Sequence, residues 1–191
     1  MGKIKYLNHI REFFKQTPVV TSRDIRLITK KKNYSYLLIR NLIKRGDIKR
    51  ITKGFYTIYE DPVLSVFCFK PCYIGLQNAL SIHNLWEQET NVVIITAKSI
   101  RIGVRKIFDN NIILHRITPN LLFGYDLIKC GDFHIPVSDI EKTIIDLVYF
   151  NEIPDEKVIS NIRKVINMEK LEKYLKEYPK KTKKKILEII Q

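Results

Sequence analysis

Apolar residues recur at helical spacing through the first sixty positions of the chain, between short polar breaks. Residues 3–16 are predicted to form an amphipathic helix, because apolar side chains fall every three or four positions. The residues on that face are Ile4, Leu7, Ile10 and Phe14. A second helix is predicted to begin at Thr21 or Ser22, since either hydroxyl can accept from the free amides of a first helical turn. Ile25 and Ile28 would supply its apolar side.

A third helix is predicted over residues 34–45, after a polar break at residues 30–33. Four residues follow helical spacing on one face of this helix. They are Ser35, Ile39, Leu42 and Ile43. Gly46 is predicted to end this helix, because glycine adopts the left-handed conformation without a steric penalty.

The segment after this helix is predicted to be a tight two-stranded ribbon. Residues 48–51 and 55–59 have the composition of paired strands, and residues 52–54 have that of a turn. Helix, turn, helix and ribbon follow one another as in a winged helix-turn-helix, whose second helix lies in the major groove of DNA while its ribbon touches the flanking backbone. The alternative is a small helical lobe with a solvated basic surface.

The remaining residues mix strand and helix patterns. A domain boundary is predicted at residues 60–62, which gives a winged helix-turn-helix over residues 1–60 and a second domain over residues 61–191. The pattern of residues 63–69 fits either a strand or a short helix. The predicted strands are 91–97, 104–108, 112–117, 121–130 and 133–136, and the predicted helices are 71–85, 138–150, 155–166, 168–177 and 180–190. The fold class is therefore α+β, with a mixed α/β domain that ends in helices.

Local signals place several ends of these elements. Residues 109–111 have a good turn sequence, and residues 131 and 132 are predicted to close a hairpin. Ser138 and Glu141 have capping-box spacing at the start of a helix.

Charge is concentrated at the amino end of the chain. The formal net charge is +14, and residues 1–60 contain 15 Lys and Arg against 4 Asp and Glu. A basic segment of this kind indicates a polyanion partner, because neutralised phosphates release condensed counterions. A membrane partner is not expected, since no segment is long and apolar enough to span a bilayer. With no signal peptide visible either, a cytoplasmic protein is predicted.

Metal binding is not predicted. The three cysteines are an odd number, which argues against a secreted disulfide scaffold. Cys68 and Cys72 could form a metal site only with His83 or His134, and no four-ligand pattern can be assembled from these positions. We expect no metal and no other cofactor.

Enzyme activity is not predicted either. Glu141 and Asp146 are five positions apart, which places them on different faces of a helix. Asp126, Asp132 and Asp139 are distributed over turns, so no carboxylate cluster for Mg²⁺ is indicated. His83 lies on an apolar helix face, where a hydrogen-bonded core histidine is the simpler interpretation.

The candidate DNA-binding residues fall into two groups. Arg40 could read a guanine and Asn33 an adenine, because these side chains form paired hydrogen bonds with those bases. Tyr34, Tyr36 and Lys44 also lie on the predicted recognition helix. Phosphate contacts, which position the protein without reading sequence, are predicted for Arg23, Arg26, Lys49, Arg50 and Lys53. For each residue the alternative is an ordinary exposed side chain.

Three short motifs resemble the AbiEi family of antitoxin-type transcriptional regulators. They are the ribbon at residues 48–56, the Tyr-x-Gly…Ala-Leu…His segment at residues 73–83, and the Glu-Lys-x-x-x-Asp-Leu segment at residues 141–147. The resemblance implies a winged DNA-binding domain that represses its own promoter, and a second domain that neutralises a toxin. It also implies that this toxin is a nucleotidyltransferase-like protein encoded nearby. Asn84 departs from the family pattern, where glycine often follows the histidine.

The leading hypothesis is a repressor that binds double-stranded DNA at an operator, for which an inverted repeat is one form. Two other hypotheses remain open from the sequence. One is an antitoxin that acts by binding a partner protein, with DNA binding incidental. The other is a metal-dependent nucleic-acid enzyme. The lysine run at residues 180–185 could begin a solvated helix or add a second phosphate contact.

Overall fold

The computed structural model describes residues 6–190, which divide into two compact units. The first unit contains the described residues up to Cys68 together with Lys106–Asn110. The second contains Phe69–Arg105 and the described residues from Asn111 onwards. Both helices and sheets are present, so the chain has the mixed character that the sequence pattern indicates. The predicted domain boundary at residues 60–62 stays a prediction.

The first unit contains three helices and a small sheet. The helices are α1 (Leu7–Gln16), α2 (Ser22–Thr29) and α3 (Lys32–Lys44), and the strands are β1 (Val20–Thr21), β2 (Lys49–Thr52) and β3 (Phe55–Thr57). A 3-10 helix, Pro62–Cys68, follows the sheet. The predicted start of the first helix, including Ile4, lies outside the described residues.

The helix–turn–helix break is shorter than predicted. Lys30 ends α2 with a φ of 55°, and α3 already begins at Lys32. The prediction that residues 32 and 33 lie in the break is therefore wrong. Because Lys30 adopts the left-handed conformation, α2 ends there and α3 can begin two residues later.

Thr21 caps α2, as predicted, through a reciprocal capping box. The Thr21 hydroxyl accepts from the Asp24 backbone N–H at 3.2 Å, and the Asp24 carboxylate accepts from the Thr21 backbone N–H at 2.8 Å. Two otherwise unpaired amides of the helix start are thereby satisfied. This bonding fixes where the helix begins.

Replacing Thr21 with alanine is expected to lower the free energy of unfolding of the first unit by about 1 kcal/mol. The alanine removes the hydroxyl that accepts from the Asp24 N–H at 3.2 Å and donates to the Asp24 carboxylate at 2.7 Å. Denaturant unfolding followed by circular dichroism measures the change. Ser22→Ala is the matched control, because Ser22 is the first helical residue and not the cap. Equal losses in the two variants would contradict the capping assignment.

The inward face of α3 differs from the prediction at two positions, Leu38 and Ile43. Ser35, Leu38, Ile39 and Leu42 are buried, but Ile43 is 39% exposed. Each residue advances about 100° around a helix. Position 43 therefore lies at one edge of the buried stripe that is centred on Ile39 and Leu42, and position 38 lies at the other edge. The three apolar ones, Leu38, Ile39 and Leu42, pack in one cluster that also contains Ile10, Phe14, Ile25 and Ile48.

Gly46 ends α3 as predicted. Its φ is 75°, its N–H donates to the Ile43 carbonyl at 3.0 Å, and the Asp47 N–H donates to the Leu42 carbonyl at 2.9 Å. This pairing satisfies carbonyls that a helix end leaves open.

The ribbon belongs to a three-stranded sheet in the order β1-β3-β2, with both pairs antiparallel. The sequence pattern predicted β2 and β3 but not β1, which contains two residues and is too short to show alternation. The Ser22 N–H donates to the Gly54 carbonyl at 2.9 Å. The turn of the ribbon is therefore held against the start of α2.

Most residues of a six-stranded mixed sheet, in the order β6-β7-β5-β4-β9-β8, belong to the second unit, while Lys106–Asn110 around its β6–β7 turn are grouped with the first. Its strands are β4 (Cys72–Ile74), β5 (Val92–Thr96), β6 (Gly103–Ile107), β7 (Asn110–Arg116), β8 (Tyr125–Cys130) and β9 (Phe133–Ser138). β4 pairs antiparallel with β5 and parallel with β9, and β5 pairs parallel with β7. The helices are α4 (Leu76–Ile82), α5 (Ile140–Tyr149), α6 (Glu156–Val165), α7 (Met168–Leu175) and α8 (Lys180–Ile190).

The helix predicted over residues 71–85 is wrong in its first half. Cys72–Ile74 forms β4, and only Leu76–Ile82 is helical. Tyr73 and Ile74 are fully buried. A continuous buried run looks alike in a helix and in a central strand, so periodicity does not separate the two cases.

Two further local predictions are corrected by a few residues. The N-cap of α5 is Asp139, whose carboxylate accepts from the Lys142 N–H at 2.7 Å, so the predicted cap at Ser138 is wrong. Ser138 instead ends β9. The turn between β6 and β7 consists of Phe108 and Asp109, with φ values of 49° and 64°, and not of residues 109–111. Two successive positive φ values are typical of tight hairpin turns.

Buried residues of the sheet and helices form the core of the second unit. Tyr73, Leu80, Ile95, Ile144 and Ile162 belong to this cluster, which extends to Ile186 on α8. Within residues 6–190, no helix combines the length and the apolar character that crossing a bilayer needs.

Candidate nucleic-acid interface

One face of α3 points outward along its whole length. Six of its exposed residues are spaced three and four apart: Asn33, Tyr36, Leu37, Arg40, Asn41 and Lys44. This spacing follows from the buried stripe on the opposite side, because residues three and four apart share a face. The sequence of α3 contains no acidic residue. The helix therefore offers hydrogen-bonding and cationic side chains without a competing negative charge.

Four of the five predicted α3 contacts lie on this outward face: Asn33, Tyr36, Arg40 and Lys44. Tyr34 differs, because it is half-buried and its ring packs edge-on against Tyr6 with centroids 5.8 Å apart. Tyr34 also packs against the apolar cluster of the first unit.

The predicted phosphate contacts of α2 and the ribbon turn lie close together in this unit. Arg23 is exposed in the first turn of α2, directly after Ser22, and Lys53 is exposed directly before Gly54. The hydrogen bond from Ser22 to Gly54 places these neighbours at the same end of the unit. Arg26 is exposed one helical turn beyond Arg23, and α2 packs against α3.

The two phosphate contacts predicted on β2 differ in how accessible their side chains are. Arg50 is exposed, next to an irregularity in the strand register between Arg50 and Thr52. Lys49 is half-buried and forms an ion pair with Glu60. A contact between Lys49 and a phosphate would therefore require this ion pair to open.

Three acidic residues of this unit contact groups outside the outward face of α3. Asp24 belongs to the cap of α2, Asp47 pairs with Arg45 at 3.0 Å, and Glu12 pairs with Lys15 at 2.7 Å. Because α3 itself contains no acidic residue, no side chain of its own helix neutralises the positive charge of the outward face. Such an arrangement favours an anionic partner.

Sequence reasoning missed two residues of the outward face. Leu37 and Asn41 follow Asn33 at intervals of four, and both are exposed. Leu37 was overlooked because leucine is usually a core residue. The helical spacing that identifies Asn33 and Arg40 would also have identified these two positions.

The second unit contains a buried ion pair that lies away from solvent. The Lys142 ammonium and the Asp146 carboxylate are in direct contact, and both side chains are 0% exposed. The Tyr73 hydroxyl donates to the Asp146 carboxylate at 2.7 Å. Burial lowers the pKa of Lys142 and raises the pKa of Asp146. A fully enclosed pair of this kind has no access to a substrate, so we assign it to the packing of the unit.

Glu141 links two helices. Its carboxylate accepts from the Asn167 backbone N–H at 2.8 Å, at the start of α7, and contacts the Lys170 ammonium at 3.3 Å. Lys170 also contacts Asp139 at 3.0 Å. Glu141 therefore acts between α5 and α7, and the capping-box role predicted for it is wrong.

The residues considered for metal binding do not form a site in the described part of the chain. Cys68 and Cys72 are buried, and burial raises the pKa of the Cys72 thiol to about 12. His83, which is half-buried and follows the last residue of α4, bonds through Nε2 to the Ser138 carbonyl at 2.7 Å, so the predicted hydrogen bond is present but the predicted core position is wrong. Within residues 6–190, no group of three or more His, Cys, Asp or Glu side chains is placed to hold a metal ion.

The sequence of part of the first unit matches the model of a known protein family. Residues 8–59 match the family model described as transcriptional regulator, AbiEi antitoxin. The resemblance to the AbiEi family is thereby confirmed, and the matched region contains the outward face of α3 and the ribbon. The other two motifs, at residues 73–83 and 141–147, lie outside the matched residues. The AbiEi match indicates a transcriptional regulator of the antitoxin type.

A solved structure extends the likeness in fold to nearly the whole chain. The crystal structure of the RV2827C protein from Mycobacterium tuberculosis has a TM-score of 0.64 over 99% of this chain and 77% of that one. The two sequences are 12% identical, so the likeness concerns the fold alone. A search of curated proteins found no match.

Proposed function

We propose that this protein is a DNA-binding transcriptional repressor of the AbiEi type, and that its first unit acts as a winged helix-turn-helix. The outward face of α3, which contains Arg40, Asn33 and Asn41 and no acidic residue, is the observation that supports this proposal most directly. A helix with these side chains fits the major groove, where they can pair with guanine and adenine edges.

The phosphate contacts of the proposal come from the surrounding elements. Arg23, Arg26, Arg50 and Lys53 are exposed beside the helix pair and on the ribbon. Phosphate contacts hold a protein in register on the duplex and make binding depend on salt. Lys49 would join them only after leaving Glu60.

The AbiEi match also suggests a protein partner. A toxin encoded nearby, of the nucleotidyltransferase-like class that the family resemblance implies, is the partner we propose. Its neutralisation is assigned to residues 61–191, the second predicted domain. Growth of cells that express the toxin alone or with this chain tests that assignment separately from DNA binding.

Titration of fluorescent duplexes from the gene's own upstream DNA tests the repressor proposal. We expect one segment to bind more tightly than a scrambled duplex of equal length at the same salt concentration, because base contacts add to the phosphate contacts. Equal affinity for the two duplexes would contradict sequence-specific repression. No binding to either duplex would contradict DNA binding as a whole.

Lys53→Glu is expected to weaken binding by a similar factor on every duplex and to lower the salt dependence, because each phosphate contact contributes about one unit to the slope of log K against log salt. The measurement is a set of anisotropy titrations at several salt concentrations.

Lys15→Glu is the matched control for Lys53→Glu. It changes the net charge equally but lies on α1, where Lys15 pairs with Glu12. If the slope of log K against log salt changes equally in both variants, or in neither, the ribbon is not part of the DNA-binding surface.

A further inference from the structure

Leu37 is an exposed apolar side chain on an otherwise polar face. It is 53% exposed in the middle of α3. Its neighbours one turn away are Asn33, Arg40 and Asn41, all of them exposed. An isolated surface leucine is ordinary, but this one lies at the centre of the face that the proposed function places in the major groove.

We propose that Leu37 reads the C5-methyl group of a thymine, an inference that rests on DNA binding through α3. Among the base edges exposed in the major groove, the thymine methyl is the apolar group that a leucine can contact. Contact with it would remove both apolar surfaces from water, which is favourable.

The positive charges near Leu37 favour DNA, and not an apolar protein surface, as the partner that binds this face. Arg40 lies one turn and Lys44 two turns from the leucine on the same face, and α3 contains no acidic residue. A polyanion compensates these charges, whereas an apolar protein patch would desolvate them.

The position of the thymine follows from helix geometry. Leu37 and Arg40 are three residues apart, so their side chains are about 5–6 Å apart along the helix surface. Base pairs are stacked about 3.4 Å apart. The thymine contacted by Leu37 is therefore about one or two base pairs from the guanine that Arg40 reads.

Replacement of single thymines by deoxyuridine tests this contact, because it removes only the methyl group. The duplex is one enriched by selection from a random pool with the full chain, and affinities are measured at one salt concentration. At the thymine that Leu37 contacts, deoxyuridine should weaken binding of the native chain about fourfold, the effect expected for one buried methyl group. Leu37→Ala should bind the thymine and deoxyuridine duplexes equally.

Two matched variants separate this contact from general effects. Leu37→Met keeps an apolar side chain and should keep the discrimination against deoxyuridine. Leu27→Ala removes an exposed leucine from α2, which is 67% exposed, and should also keep it. Circular dichroism and sedimentation check that the variants fold and assemble like the native chain.

The outcomes distinguish this inference from the proposed function. If no duplex is enriched, DNA binding itself fails. If a duplex is enriched but no thymine is sensitive to loss of its methyl group, or if Leu37→Ala keeps the sensitivity, only the Leu37 contact is overturned. A change of molecular mass in Leu37→Ala would also overturn it, and would assign Leu37 to contact between copies of the chain.

Discussion

Asp146→Ala is expected to lower the free energy of unfolding of the second unit by about 3–5 kcal/mol, the range for removing one partner of a buried ion pair. The alanine would leave the Lys142 ammonium enclosed without its carboxylate, since both side chains are 0% exposed. It would also remove the acceptor of the Tyr73 hydroxyl, which is bonded at 2.7 Å. Two buried polar groups would then lack a partner.

Trp86 provides a local signal for this measurement. It is the single tryptophan of the sequence and packs against the core cluster of the second unit. Denaturant unfolding followed by tryptophan fluorescence therefore reports that unit. Asp126→Ala is the matched control, because Asp126 is exposed on β8. A loss in Asp146→Ala no larger than in the control would contradict the role assigned to the buried pair.

Replacing all three polar groups together should restore most of the stability. Lys142→Met, Asp146→Leu and Tyr73→Phe in one chain would leave no ionised group or unpaired hydroxyl from this network in the core. Burial lowers the pKa of Lys142 and raises the pKa of Asp146, because the charged form of each group loses its hydration in the core. Buried pairs of this kind are often replaced by apolar residues without loss of stability. The combined variant should thus unfold at a higher denaturant concentration than Asp146→Ala.

The sequence predicted most elements of the first unit because its helices are amphipathic and have clear ends. Thr21 and Gly46 mark the start of α2 and the end of α3, and both act through backbone groups next to them in the chain. Local chemistry of this kind is visible in sequence. The strand β1 was not predicted, because its two residues are defined by pairing with β3.

In the second unit, contacts between residues far apart in sequence determine features that local sequence patterns do not predict. Tyr73 and Ile74 form a central strand only because β5 and β9 lie on either side of β4. The pair of Lys142 and Asp146 has the spacing of four that brings side chains together on a helix. The same spacing is common between exposed charges, and burial of this pair depends on the elements packed around α5.

The outward face of α3 was only partly predicted. Asn33, Tyr36, Arg40 and Lys44 were identified because polar residues on a recognition helix indicate DNA contacts. Leu37 was not, because an apolar residue alone does not show whether it faces the core or the solvent. The burial of Leu38 and Ile39 settles the orientation of α3 and leaves Leu37 exposed.

Arg40→Ala is expected to weaken binding to the cognate duplex by roughly 1–3 kcal/mol, the value of one paired contact with a guanine. Its effect on scrambled DNA should be smaller, because that binding rests on the summed phosphate contacts. Arg40 is exposed and alanine keeps helix propensity, so the variant should fold like the native chain. The measurement is a pair of titrations, cognate against scrambled duplex, at one fixed salt concentration.

Arg23→Ala is the matched control for Arg40→Ala, since Arg23 is an exposed arginine on α2 to which we assign a phosphate contact. It should weaken binding to both duplexes by a similar factor. If Arg40→Ala behaves in the same way, Arg40 holds a phosphate and does not read a base. If Arg40→Ala changes neither affinity, α3 is not the recognition helix. The proposed contact of Leu37 with thymine would then be contradicted as well, because Leu37 and Arg40 lie on the same face of one helix.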